Sequence, residues 1–171
     1  MDLNNRVAVI TGGSGGIGQA MAKAFLSQGA KAVVLADLDE QAVQAAAADI
    51  GCEGYACNVT QESDVQDLVE RVLQKHGHID LFCSNAGAGG QGLLTDAPNE
   101  VWQQQWELHV MSHLYAARAV LPGMLERGEG YLLNTASAAG LLAAIGSGPY
   151  TVSKAAAVKL AEFLSITHGD E

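Results

Sequence analysis

The stretch Arg6–Gly18, RVAVITGGSGGIG, restricts the fold more than any other part of the chain. Arg6–Thr11 is a short apolar, β-branched run that reads as a buried strand. It passes without a linker into Gly12, Gly13, Ser14, Gly15, Gly16, Ile17 and Gly18. Ile17, Met21, Ala24 and Phe25 then recur at helical spacing within a helix read from Gln19 to Gln28, and Gly29 stands where a helix ends. In parallel sheets, a glycine turn between a first strand and a first helix is where a dinucleotide binds. The glycines let the backbone approach the pyrophosphate, and the helix N-terminus offers N–H groups and a positive dipole end. Two spacings fit. Gly13, Gly15 and Gly18 satisfy GxGxxG, and Thr11, Gly12, Gly16 and Gly18 satisfy TGxxxGxG. The loop has no lysine of the Walker type, which argues against a P-loop nucleotide triphosphatase.

The rest of the chain alternates in the same way. Strands are predicted at Lys31–Ala36, Gly54–Cys57, Ile79–Ser84 and Gly130–Ala136. Between them lie helical patterns at Asp39–Asp49, from an N-cap in Thr60-Gln61-Glu62-Ser63 to about Lys75, and from Pro98 to about Glu126 with a bend near His109. A loop over Ala138–Pro149 leads to a helix running from Tyr150 to the chain end. This pattern predicts one α/β domain over residues 1–171. It would be a doubly wound parallel sheet of Rossmann-like form, with helices on both faces.

The formal charge of −10 argues against nucleic acid and anionic membranes, both of which call for basic surfaces. No apolar run is long enough to cross a bilayer. Cys52, Cys57 and Cys83 have neither CxxC spacing nor a histidine cluster beside them, so free thiols in a reducing, cytoplasmic setting are expected. His109 and His113 have i,i+4 spacing but no carboxylate motif nearby, and no metal site is expected.

Two further constellations carry chemistry. Asp37 closes the second strand, nineteen residues after Gly18, where a carboxylate can accept from ribose hydroxyls and would repel a 2′-phosphate. NAD is therefore favoured over NADP. The competing assignment makes Asp37 the cap of the next helix, a job that Asp39 could equally do. Near the C-terminus, Ser137 is followed after thirteen positions by Tyr150 and after four more by Lys154. Four residues is about one helical turn, so the phenol and the ammonium share a face. A fixed cation favours a phenolate, and a serine hydroxyl can hold an oxygen that gains charge.

Together these residues resemble the classical short-chain dehydrogenase/reductase family. The matching positions are Thr11, Gly12, Gly16 and Gly18, then Asp37, Asn85-Ala86-Gly87, Ser137, and Tyr150 with Lys154. The resemblance implies an NAD-dependent oxidoreductase interconverting a secondary alcohol and a ketone, small molecules, by hydride transfer. Ser137 would orient the substrate oxygen, and Tyr150 would be the general acid–base. Lys154 would support the tyrosine and bind the nicotinamide ribose. Gly12, Ser14, Gly16, Ile17, Gly18 and Asp37 would hold the adenosine and pyrophosphate end, with Asn85, Ala86 and Gly87 along the cofactor channel. Where the family commonly has Asp-Val against adenine, this chain has Asn58-Val59, whose amide oxygen could accept from the adenine amino group. The resemblance also implies a homo-oligomer, dimer or tetramer, through helices near Val101–Glu126 and Tyr150–Ser165.

Two departures are visible. The family's catalytic asparagine falls at His109, which differs in shape and takes up charge near pH ~6.5. A charged His109 beside Lys154 would either help the phenolate or break the proton relay, and a helix-face histidine without a part is the third reading. Family members also usually carry two further strands and a lid beyond the lysine helix, so the C-terminal strands are expected to be missing here. These departures support an alternative in which the chain binds NAD as a sensor or assembly subunit with weak or no turnover. Leu141, Leu142 and Ile145 would either meet a partly apolar substrate or serve packing alone.

Overall fold

The computed structural model describes residues 2–169. Five parallel strands form one sheet: β1 (Val7–Thr11), β2 (Ala32–Asp37), β3 (Glu53–Ala56), β4 (Leu81–Ser84) and β5 (Tyr131–Asn134), in the order β3-β2-β1-β4-β5. The pleat of β1 sends Val7 and Val9 to one face and Ala8 and Ile10 to the other. The first face packs on α3 (Glu62–His76) through Val65, Leu68, Val69 and Val72, and on α5 (Ser112–Arg127) through Ala116, Val120 and Met124. The second packs on α1 (Gly16–Ser27) and α2 (Glu40–Ile50) through Ala22, Val43 and Ala47. Both faces of every central strand are covered, which is why the strands read as continuous apolar runs.

The chain runs to opposite sides of β1 after β1 and after β3, so the sheet order switches between β1 and β4. In open α/β sheets that crevice, outside the carboxyl ends of the strands, is where ligands bind. The lower end of β1 is pinned elsewhere: buried Asp80 accepts from the Val7 amide at 2.7 Å and pairs with Arg6 and His78.

Several element ends differ from the sequence reading. α1 begins at Gly16, not Gln19, because the glycines themselves form its first turn. β3 starts one residue early and β5 is shorter than predicted. The N-cap of α3 is Gln61, whose side chain makes no capping bond; Thr60 instead donates to Asn58 Oδ1 from its amide and its hydroxyl, closing an Asx turn. α4 (Asn99–Trp106) runs into a π-helical turn, Glu107–Met111, and then α5, so the bend expected near His109 is a change of hydrogen-bond register within a continuous helix. α6 (Gly148–His168) packs on α4 and the π turn. The expected continuation of α6 through Asp170 and Glu171 lies outside the described residues.

Candidate active site

A cavity of about 770 Å³ lies over the carboxyl ends of the strands. Its lining includes Gly12, Ser14, Gly16, Ile17, Gly18, Asp37, Asn58, Val59, Asn85, Ala86, Gly87, His109, Tyr150 and Lys154. Of the residues given a catalytic role from sequence, Tyr150, Lys154 and His109 are in that lining and Ser137 is not.

The glycine loop is built by close approach. Gly12 has φ +65°, and a Cβ there would stand 2.8 Å from the Ala86 Cα. A Cβ on Gly18 would stand 2.4 Å from the Gly12 carbonyl oxygen. A Cβ on Gly16 would meet nothing within 4 Å, so that glycine leaves room at the cavity wall. The cap of α1 is Gly15 with no side-chain bond, and the first-turn amides have no side-chain acceptor. A Cβ on Gly13 would stand 2.6 Å from the Leu35 Cβ, so close approach holds glycines of both spacings, Gly12, Gly13 and Gly18.

Asp37 closes the loop from β2. Its Oδ2 accepts from the Ser14 amide at 3.0 Å and the Ser14 hydroxyl at 2.6 Å, and its Oδ1 accepts from the Leu38 amide at 2.8 Å. Asp39, not Asp37, caps α2, accepting from the Ala42 amide. Asp37 therefore has no capping duty and keeps acceptor capacity on Oδ1. Asn58 differs from expectation: its Oδ1 is already taken by the two bonds from Thr60, which fills both lone pairs.

Asn85 ties three strand ends together. Its amide donates to the Thr11 carbonyl at 2.9 Å and its Oδ1 accepts from the Thr135 hydroxyl at 3.1 Å. The Thr11 hydroxyl accepts from the Asn85 and Ala86 amides and donates to the Cys83 carbonyl. Thr135 and Ser153 were not singled out by sequence, and only tertiary contact reveals them.

Tyr150 and Lys154 stand one turn apart on α6. The Lys154 Nζ lies 5.9 Å from the Tyr150 ring centroid and donates to the Thr135 carbonyl at 2.9 Å. Burial lowers its pKa from the ordinary lysine value. Ser137 begins a 3-10 turn, Ala138–Gly140, and its hydroxyl accepts from the Ala139 amide at 3.2 Å. Gly140 lies against α6, where a Cβ would stand 2.7 Å from the Lys154 carbonyl oxygen.

His109 is fully buried. Burial first, and the Lys154 charge second, push its pKa down to about 4. The protonated His109 considered from sequence is therefore not the form present at neutral pH. Leu141, Leu142 and Ile145 are 77%, 74% and 100% exposed, so they do not serve the core. No group of three metal-ligating side chains converges among the described residues.

Residues 6–170 match the family described as short chain dehydrogenase. The chain belongs to the short-chain dehydrogenase family. Among its relatives, 3beta-hydroxysteroid dehydrogenase 2 of Eggerthella lenta is 34% identical over 98% of this chain and 67% of its own length. The 2-(S)-hydroxypropyl-CoM dehydrogenase 3 of Xanthobacter autotrophicus is 36% identical over 92% of this chain and 64% of its own. A solved short-chain dehydrogenase/reductase from Burkholderia phymatum, in complex with NAD, superposes with a TM-score of 0.93 at 35% identity, over 98% of this chain and 61% of that one. NAD+-bound xylitol dehydrogenase superposes at 0.90 with 29% identity, over 98% and 66%. This short-chain dehydrogenase chain thus spans about two thirds of the length of the relatives it matches.

Proposed function

We propose that the protein is an NAD-dependent oxidoreductase that interconverts a secondary alcohol and a ketone, with Tyr150 as general acid–base. The observation that carries this reading is one cavity shared by Tyr150, Lys154, the glycine loop and Asp37. The residues fit the cofactor. An uncapped helix N-terminus and the open space at Gly16 suit a pyrophosphate, and Asp37 has an acceptor to spare for a ribose hydroxyl. Lys154 is the only lysine or arginine among the described lining residues, so nothing there offsets the repulsion of a 2′-phosphate by Asp37.

NAD, when bound, accepts the hydride in oxidation and its reduced form returns it in reduction. The protein's own work concerns protons and position. The Tyr150 phenolate takes the hydroxyl proton of the alcohol, and the phenol gives it back to the ketone oxygen. Lys154, held by the Thr135 carbonyl, keeps a positive charge beside the phenol oxygen's helix turn. Ser137, whose hydroxyl oxygen accepts from the Ala139 amide, keeps its O–H free to donate to the substrate oxygen and steady it. The exposed Leu141, Leu142 and Ile145 support a partly apolar substrate. Exposed Phe163 and Ile166 on α6 support self-association through that helix, and three free cysteines fit the cytoplasm.

NADH formation over a panel of secondary alcohols tests the reading, with Tyr150→Phe as control. Loss of general acid–base work lowers kcat about 10²–10⁴-fold. Full turnover in Tyr150→Phe would sink the mechanism. The placement of Ser137 outside the cavity lining favours a second reading, an NAD-binding protein without turnover. Tight NAD binding with no alcohol or ketone turned over would select it.

A further inference from the structure

His109 is the one fully buried ring in the cavity wall that the acid–base chemistry does not use, and each of its nitrogens has a fixed protein partner. The Ala88 backbone N–H can only donate, so Nε2, 3.4 Å away, is the acceptor. The ring proton then sits on Nδ1 and is donated to the Ser153 Oγ at 2.9 Å. The Ser153 hydroxyl in turn donates to the Tyr150 carbonyl at 3.0 Å. Nε2 and the Lys154 Nζ flank Gly87, at 3.3 Å and 3.6 Å from where a Cβ would stand. The Nε2 lone pair is taken by the Ala88 N–H, so the ammonium acts on the ring through its charge alone, which favours the neutral form. The ring also meets Tyr150 edge-on, with centroids 5.3 Å apart and planes at 87°.

We propose that His109 is a positioning residue: as the Nδ1–H tautomer it clamps the loop after β4 to α6 and fixes where the Tyr150 ring stands. The directed chain runs from the Ala88 N–H through His109 and Ser153 to the carbonyl of Tyr150. It leaves no nitrogen to exchange a proton with substrate, so His109 is not a shuttle. The π turn is what brings the ring into this place, on a helix whose neighbouring turns face α6. The charged or titratable groups around the ring are Lys154 and Tyr150 on α6 and His113 on α5. Burial and the Lys154 charge together hold the imidazole neutral over the working range.

The kinetic consequence rests on the reading of Tyr150 as acid–base; the tautomer does not. Nitrogen-15 NMR of the ring-labelled protein measures the tautomer directly. The expected spectrum shows His109 with Nδ1 protonated and unchanged from pH ~5 to ~8. A protonated Nε2, or titration of His109 within that range, overturns the proposal. In kinetics, His109→Phe keeps a ring against Tyr150 and removes both bonds, while Ser153→Ala cuts the chain one link later. Each lowers kcat about tenfold with the substrate KM changed less than about twofold, and the double variant loses no more than the worse single one. Multiplicative losses, or a wild-type kcat in His109→Phe, overturn it. Should Tyr150→Phe prove fully active while the tautomer stands, the failure belongs to the acid–base reading and not to the clamp.

Discussion

Replacing His113 with leucine tests how much acid sensitivity is built into two buried imidazoles. His113 is 2% exposed, and neither ring nitrogen has a hydrogen-bond partner among the described residues. Burial, then the Lys154 charge, then His109 push its pKa down to about 4. Burial and Lys154 do the same for His109, also to about 4. In the unfolded chain a histidine titrates near ~6.5, so on acidification the unfolded state takes up protons first. Both groups have depressed folded values. Stability is therefore flat above the unfolded value and is lost as pH falls from ~6.5 toward ~4. Between pH ~7 and ~5 each imidazole costs on the order of 2 kcal/mol, or roughly 4 kcal/mol for the pair. For a chain of this size a kilocalorie shifts the melting temperature by about 2–4 °C, so wild type should melt roughly 8–16 °C lower at the acid end. His113→Leu should roughly halve that drop and, by removing two unpaired nitrogens from the core, raise the melting temperature at neutral pH. Carboxylates act lower. Burial raises Glu53, but hydrogen bonds from Lys75 and Tyr55 outweigh it and leave the carboxyl below its usual value, so its loss falls largely under pH ~5. Thermal melts by circular dichroism at the two pH values read the effect. An unchanged pH slope in His113→Leu, or a native His113 titrating near ~6.5 by NMR, refutes the reasoning.

Asp37→Ser removes the carboxylate that would meet a 2′-phosphate, so the preference for NAD over NADP should narrow at least about tenfold in calorimetric titrations, with NAD affinity also falling because Ser14 loses its anchor. Burial pushes the thiols of Cys57 and Cys83 up to about 12, and Cys52 is the most accessible of the three; a thiol reagent should find one reactive cysteine in the native protein and three in denaturant. Gly18→Ala drives a methyl into the Gly12 carbonyl and should cost about 1–3 kcal/mol in urea unfolding, whereas Gly16→Ala meets nothing and should fold normally, with its loss confined to cofactor affinity.

What could be read from the chain was whatever is decided within a few residues. The strand–glycine–helix entry, the alternation behind it and the helix end at Gly29 follow from periodicity and from a φ value that only glycine takes easily. So does the one-turn spacing of Tyr150 and Lys154. The differences arise where a side chain's role depends on who reaches it first. Asn58 offers an amide oxygen in the sequence, but Thr60, two residues on, has already filled it. His109 reads as a titrating group because its usual pKa is near neutrality, yet a π turn buries it beside an ammonium and commits both nitrogens. A π turn has no strong local signature, since it is sustained by what the displaced residue binds across the fold. Asn85 shows the same dependence in the other direction. The resemblance placed it along the cofactor channel, whose lining it joins, and its amide and carbonyl also hold β1 and the segment after β5 against the end of β4. That bracing keeps Thr135 where its carbonyl can receive Lys154, so a residue of the cavity lining also sets the position of the cation beside Tyr150.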